Sequence, residues 1–197
     1  MNIVSRATNI VTKPAEEWPV IAAETTTVGA LYTSYILPLA AIGAIAKFVG
    51  LMIFGLTIPF MGTRSIGLGS ALIQSIMQLV VGLIIVYVAA LIVDALAPTF
   101  EGEKNFMQAL KVIAFSQTPA WLAGVLNVVP LLAILIIVAA IYGIYVLYLG
   151  LPVLMKCPKE KAVGYTALVI IIAIVISIIL GVVMGAIIGI TGAAGMG

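Results

Sequence analysis

A short polar run interrupts the third long apolar stretch of the sequence and offers a first set of side chains able to do chemistry. Pro119, within this run, lacks a backbone N–H, so the carbonyl of Phe115 loses its helical partner and a kink is predicted. Polar groups at mid-depth in a membrane need partners, so the run should face the interior of a helix bundle. The kink would either line a cavity or solute path, or form an interhelical hydrogen-bond knot, which is the interpretation we favour. Together with two glutamines that share one face of the preceding stretch, the candidate residues are Ser116, Gln117, Thr118, Pro119, Gln74 and Gln78.

Asp94 is the acidic residue that falls inside a predicted membrane span, about one helical turn before Pro98. An ionisable group in such a position is a functional candidate. A proton relay would need a second ionisable group deeper in the membrane, and the sequence offers none. We therefore predict a structural ion pair of Asp94 with Lys104 or Lys111, which would hold the second and third spans together.

Residues for catalysis are scarce. The sequence has no histidine, and its one cysteine, Cys157, has no partner for a disulfide or a metal site. The neighbouring lysines could lower the pKa of this thiol, but an unreactive free thiol is the simpler interpretation. Asp94 is the only aspartate, which excludes an intramembrane aspartate pair. We predict no catalytic residues, no metal site and no cofactor.

The composition indicates a membrane protein. Of the 197 residues, 64% are hydrophobic and 8% are charged, whereas soluble domains have about 45–50% apolar and about 25% charged residues. A soluble domain of this size could not bury so much apolar surface, so the surrounding solvent must be lipid. The net charge of +2 is too small to suggest a nucleic-acid partner.

The apolar stretches predict an all-α, polytopic bundle of five transmembrane helices. The predicted spans cover residues 28–46, 70–97, 106–128, 131–155 and 162–190. Residues 1–27 form a cytosolic or interfacial segment before this domain, and residues 191–197 form a short tail.

Residues 48–62 are apolar but only 15 long, shorter than the 17–25 residues that a full span usually needs. With five spans and a cytoplasmic N-terminus, seven of the nine lysines and arginines lie on the inner side, as the positive-inside rule expects. If residues 48–62 crossed, six would lie outside. We therefore predict that this segment is re-entrant or interfacial and that the C-terminus is outside.

Residues 1–27 predict two short helices. Ile3, Val4, Ala7, Ile10 and Val11 lie on one helical face, away from Arg6, Asn9 and Lys13. This first helix could lie in the headgroup plane of an anionic bilayer, or both helices could pack on the bundle. Trp18, beside a proline, fits an interfacial aromatic anchor.

The fifth span carries small residues at every fourth position, which allow a second helix to approach closely. The helix-packing strip consists of Ala173, Ser177, Gly181, Gly185, Gly189 and Ala193. Its partner is either another span of the same chain, which we favour, or a second copy.

Three motifs resemble the bacterial branch of the Yip family, the Ypt/Rab-interacting membrane proteins. They are Glu16-Glu17-Trp18-Pro19, SQTPAW at 116–121 and, most specifically, YLGLPVLMKCPKEKAVGY at 148–165. The resemblance covers residues 5 to 185 and implies a cytosolic N-terminal segment, five spans and an outward C-terminus. It also implies a location in the cytoplasmic (inner) membrane of a prokaryote. Eukaryotic members bind Rab-type GTPases in vesicle traffic, but their long cytosolic region and Asp-Leu-Tyr-Gly-Pro-type motif are absent before the first span here.

The leading functional hypothesis is a non-enzymatic membrane protein that organises membrane or protein partners and associates with itself. Its partners would be the lipid bilayer, a second copy and an unidentified protein. The alternative is a small-solute or ion transporter or channel that uses the polar kink of the third span. A membrane anchor for a separate catalytic chain is a third option.

Overall fold

The computed structural model describes residues 2–58 and 62–194 of the chain. Two short helices, α1 (Ile3–Thr12) and α2 (Pro14–Ala23), precede the bundle. The bundle elements, in order, are α3 (Val28–Leu31), α4 (Leu37–Phe54), β1 (Leu56–Ile58), β2 (Gly62–Arg64), α5 (Leu68–Leu96), α6 (Phe106–Ser116), α7 (Thr118–Ala123), α8 (Ala133–Leu154) and α9 (Lys159–Ala194). A π-helical turn, Tyr32–Ile36, joins α3 to α4.

Five helical segments are long and apolar enough to cross a membrane, which confirms the predicted all-α, five-span architecture. They are Val28–Phe54, Leu68–Phe100, Phe106–Val128, Ile134–Leu154 and Lys159–Val182. Each overlaps one of the predicted spans. The large apolar side chains that remain exposed on α5, α8 and α9 form the surface that lipid would cover.

The first span is longer than the sequence indicated. Its helix continues past Lys47 and ends at Phe54, where Gly55 adopts a positive φ of 73°. A lysine does not terminate a helix, whereas glycine adopts this backbone conformation without a steric penalty. The segment 48–62 is therefore divided, because residues 48–54 complete α4 and an antiparallel strand pair joins Leu56 to Arg64. The depth of this pair in the membrane stays a prediction.

The third span lies at the centre of the bundle. In its most apolar 18-residue window 61% of the residues are buried, against 17–33% in the other four spans. α6 packs against α5 and α8, and the core around it includes Leu110, Val112 and Phe115. The polar residues of this span are therefore surrounded by protein, as expected from the cost of exposing them to lipid.

The N-terminal helices pack into the bundle, against α6, α7 and α8. Trp18 is not an interfacial anchor, because it is fully buried and its indole N–H donates to the carbonyl of Val146 at 3.1 Å. A Cβ at Gly150 would lie 2.6 Å from the indole ring, so this glycine makes room for the tryptophan. The predicted apolar face of α1 is also rotated, since Val4 is 67% exposed and Arg6 is buried.

The closest helix approach through glycine lies between the first and third spans, within the part of the chain that the structure describes. A Cβ at Gly124 would lie 2.9 Å from the Cα of Gly43. About two turns further along α4, a Cβ at Gly50 would lie 2.6 Å from the carbonyl oxygen of Asn127. Small residues thus allow close packing between α4 and the third span.

Candidate functional site

The helix breaks where the polar run predicted a kink. α6 ends at Ser116 and α7 begins at Thr118. The Ser116 hydroxyl donates to the carbonyl of Val112 at 2.5 Å, and the Thr118 hydroxyl shares a hydrogen bond of 2.8 Å with the Tyr35 hydroxyl. Both hydroxyls are buried and satisfied, so they stabilise the break itself.

Gln117 differs from its neighbours at the break. Its side chain is half-buried and forms no hydrogen bond with the described residues. Together with Ser116 it lines a groove of about 530 Å³ between α5, α6, α8 and α9, which we call the α9 groove. The other walls are mainly aliphatic, and they include Ala173 and Ser177 of the predicted packing strip.

The two glutamines of the second span do not reach the helix break. Gln78 is exposed and lines a separate cavity of about 210 Å³ with Ala120, Trp121 and Asn127. Gln74 is half-buried, and neither glutamine hydrogen-bonds to Ser116, Gln117 or Thr118 among the residues the structure describes. The predicted group of polar residues is therefore not brought together. The hydroxyl of Thr118 bonds to Tyr35, and that of Ser116 bonds to the backbone of α6, so neither needs a glutamine as partner.

The expected ion pair of Asp94 with Lys104 or Lys111 does not form within the described chain. The Lys111 ammonium donates instead to the carbonyls of Ile21 at 2.9 Å and Glu24 at 2.5 Å, at the C-terminal end of α2. A helix C-terminus presents unpaired carbonyls and partial negative charge, which favour a cation there. Asp94 keeps one carboxylate oxygen, Oδ1, buried without a partner among these residues.

Two inter-helix loops contact each other at one end of the bundle. Lys156 pairs with Glu103 at 2.7 Å, and Lys161 pairs with Glu101 at 2.5 Å. The loops approach so closely that a Cβ at Gly102 would lie 2.7 Å from the carbonyl oxygen of Met155. The loops after the second and fourth spans therefore lie on the same side, as five crossings require.

Cys157 lies in the second of these loops and is buried. Burial raises the pKa of the Cys157 thiol, which is opposite to the effect considered for the neighbouring lysines. The thiol is therefore less reactive than an exposed cysteine.

A buried charge cluster on α1 and α2 is the feature that the sequence did not reveal. Arg6 forms ion pairs with Glu17 and Glu24, and its guanidinium carbon lies 5.8 Å from the centre of the Phe115 ring. Asn9 donates to the second oxygen of Glu17 at 3.1 Å. One signal was present, since Arg6 lies three residues after Ile3 and four before the buried Ile10, on the same helical face.

Beside this cluster lies a polar cavity of about 270 Å³, which we call the N-terminal cavity. Its walls come from α1, the segment after α2, the π-helical turn and α6. The polar lining residues are Arg6, Glu24, Thr25, Thr26, Ser34, Tyr35 and Lys111.

The first half of the α9 strip is open. Ser177 is exposed, its hydroxyl donates to the carbonyl of Ala173 at 2.7 Å, and a Cβ at Gly181 would meet no atom within 4 Å. The second half, Gly185, Gly189 and Ala193, lies on the helix, but its surroundings are outside the described residues. Among described residues, no other helix covers Ser177 or Gly181.

Comparison with known proteins relates the chain to one family profile and to bacterial inner membrane proteins. The family profile described as the Yip1 domain matches residues 8–181. The inner membrane protein YohC of Escherichia coli strain K12 is 24% identical over 172 residues, which cover 86% of this chain and 88% of that protein. YohC of Escherichia coli O6:H1, strain CFT073, has the same identity and coverage. No solved structure matches the chain.

Proposed function

The chain belongs to the Yip1 family, and on that premise we propose that it is a non-enzymatic membrane protein that organises membrane or protein partners and self-associates through α9. Its five apolar helices and its relatives named as inner membrane proteins identify it as a multi-pass protein of the inner membrane. The proposed orientation has the N-terminus in the cytoplasm, supported by the distribution of lysine and arginine.

The observation that carries self-association is the open α9 groove. Ala173 and Ser177 face the groove, and a side chain at Gly181 would enter open space. In lipid, helices associate through close van der Waals contact at small residues, since burial from water contributes little there. A second copy of α9 is the proposed occupant of this face.

The contacts of the polar residues support the proposed non-enzymatic role. The buried hydroxyls, Lys111 and Arg6 are engaged in contacts that fix one helix to another. Such contacts support a scaffold rather than a reaction centre.

Disulfide cross-linking in native membranes tests the proposal. The wild-type chain is a suitable background because its one cysteine, Cys157, is buried. Ser177→Cys should give a covalent dimer on mild oxidation, whereas Val175→Cys, exposed on another face of α9, should give much less. If Ser177→Cys stays monomeric, or both variants cross-link equally, self-association through this face is wrong.

A small-solute transporter is the second candidate, favoured by the half-buried Gln117 that lines a groove at a helix break. Solute flux into liposomes carrying the purified chain would support it, provided that Gln117→Leu abolishes the flux. Retained flux in Gln117→Leu, or no flux with wild type, would exclude this route.

A further inference from the structure

The N-terminal cavity is bounded by two cations that are almost inaccessible to solvent. Arg6 is 3% exposed and Lys111 is 2% exposed. Burial of a charge is costly unless it is paired and hydrogen-bonded. The hydrogen bonds that each charged group already makes therefore show which of its donors and acceptors are free to contact a ligand.

The cluster has unused donors. Lys111 has three N–H donors, of which two contact the carbonyls of Ile21 and Glu24. Arg6 has five N–H donors, of which two contact Glu17 and Glu24. The remaining donors have no partner among the described residues, and the side chains that carry them line the cavity.

The cluster also has one unused acceptor. Glu17 is fully engaged, because its two oxygens accept from Arg6 and Asn9. Glu24 accepts from Arg6 with one oxygen only, and its side chain is 45% exposed. The charged residues that line the cavity are Arg6, Lys111 and Glu24, so it offers donors to an anionic group and one carboxylate oxygen to a cationic group of the same ligand.

An apolar cavity lies directly beside the polar one. It has a volume of about 310 Å³ and is lined mainly by aliphatic residues of α1 and α4, including Val4, Leu39 and Ile42. Ile3 lines both cavities. A polar site that adjoins an apolar groove on a membrane-spanning bundle fits an amphiphile, with its headgroup in one cavity and a chain in the other.

The wall of the polar cavity includes the π-helical turn Tyr32–Ile36, which contributes Ser34 and Tyr35. Single π-helical turns within α-helices are frequent at functional sites. The turn interrupts the first span beside Arg6 and Lys111.

We propose that the N-terminal cavity binds the headgroup of a zwitterionic phospholipid with a primary amine, such as phosphatidylethanolamine. The phosphate contacts the unused donors of Arg6 and Lys111, and the ammonium group contacts the free oxygen of Glu24. One acyl chain follows α1 and α4 through the apolar cavity. This site is separate from the α9 groove and does not depend on self-association.

The test is native mass spectrometry of the full-length protein released from vesicles of equal phosphatidylethanolamine, phosphatidylcholine and phosphatidylglycerol content. We expect phosphatidylethanolamine to remain bound preferentially. Glu24→Gln should weaken its retention about tenfold, because a charge-assisted hydrogen bond is lost. The matched control Glu16→Gln changes a carboxylate on the preceding helix α2 that is 75% exposed, and it should leave retention unchanged.

Equal retention of the three lipids by the wild type, preference for phosphatidylglycerol, or equal effects of the two variants would overturn the proposal. If Glu24→Gln fails to fold, the lipid preference of the wild type still decides the question. Excess soluble phosphoethanolamine should not displace the lipid, and displacement would show that the headgroup alone is the ligand. Cross-linking at Ser177 is unaffected by any of these outcomes, so the two proposals fail independently.

Discussion

Two regions of the molecule differ in which side chains they bury. One is the buried cluster around α1, α2 and α6, and the other is the open face of α9. In the first region, Arg6, Glu17 and Lys111 are buried, and each contacts a partner within the protein. In the second, apolar residues face outward, and a Cβ at Gly181 would meet no described atom within 4 Å. Water and lipid explain the difference, because the polar groups must be satisfied internally while the apolar surface is already compatible with its solvent.

The two regions should therefore respond differently to mutation. Changes in the buried cluster should affect stability, because they leave a charge or a ring without its partner. Changes on the open face should affect association and leave the fold intact. The following predictions test this contrast.

The largest effect is expected for Arg6→Met, which leaves Glu17 buried with Asn9 as its remaining partner. Removal of one member of a buried ion pair costs about 3–5 kcal/mol of the free energy of unfolding. Lys13→Met is the control, because its contact with Glu16 is exposed and should contribute about 1 kcal/mol or less. Unfolding of both variants in lipid micelles, followed by tryptophan fluorescence, measures the difference, and equal losses would contradict the buried cluster.

Two glycines provide a matched comparison of the regions. Gly150→Ala should lower the free energy of unfolding by about 1–3 kcal/mol, because its Cβ would lie 2.6 Å from the Trp18 ring. Gly181→Ala should be neutral or stabilising by up to about 1 kcal/mol, because its Cβ meets open space and alanine favours helix. Thermal unfolding of the two variants provides the test. A loss at Gly181 as large as that at Gly150 would show that α9 is packed more tightly than the structure indicates.

A smaller effect is expected for Lys156→Ala, which removes the exposed ion pair with Glu103. We expect a loss of about 1 kcal/mol or less, because exposed ion pairs contribute little. The effect should shrink further in high salt. A loss comparable to that of Arg6→Met would place this loop contact inside the protein core.

The last prediction concerns pH. Burial raises the pKa of the Cys157 thiol, so the reactive thiolate is less populated near neutral pH than for an exposed cysteine. Alkylation of the native chain should be slow near neutral pH and accelerate as the pH rises. A Cys157→Ala, Glu160→Cys variant, with an exposed thiol near the same loop, should react faster at every pH below this rise. Equal rates would show that the loop opens.

The sequence predicted the five spans because mean apolar character over about 20 residues is a local property. The end of the first span at Phe54 was missed because Lys47 appeared to be a boundary, whereas Gly55 is the helix terminator. The helix break at Gln117 was visible in Pro119, a residue with a fixed local effect.

The partners of the polar residues were not predictable, since each depends on helices distant in sequence. Lys111 was expected to pair with Asp94, but its ammonium group donates to the carbonyls of Ile21 and Glu24 instead. The hydrophobic face of α1 was misassigned because Arg6 becomes compatible with burial only once Glu17 and Glu24 lie beside it. The spacing of Arg6 from Ile3 and Ile10 puts it on the buried face, but it does not identify the two carboxylates that pair with it.

The contact between Trp18 and Val146 also has a consequence for biosynthesis. These residues are separated by 128 positions, so the ribosome completes three spans and much of the fourth before the indole can dock. Until then the indole of Trp18 lacks the carbonyl of Val146 that accepts its hydrogen bond. Chains halted before residue 146 are expected to remain sensitive to protease in this segment, and nascent chains should become resistant only after the fourth span has entered the membrane.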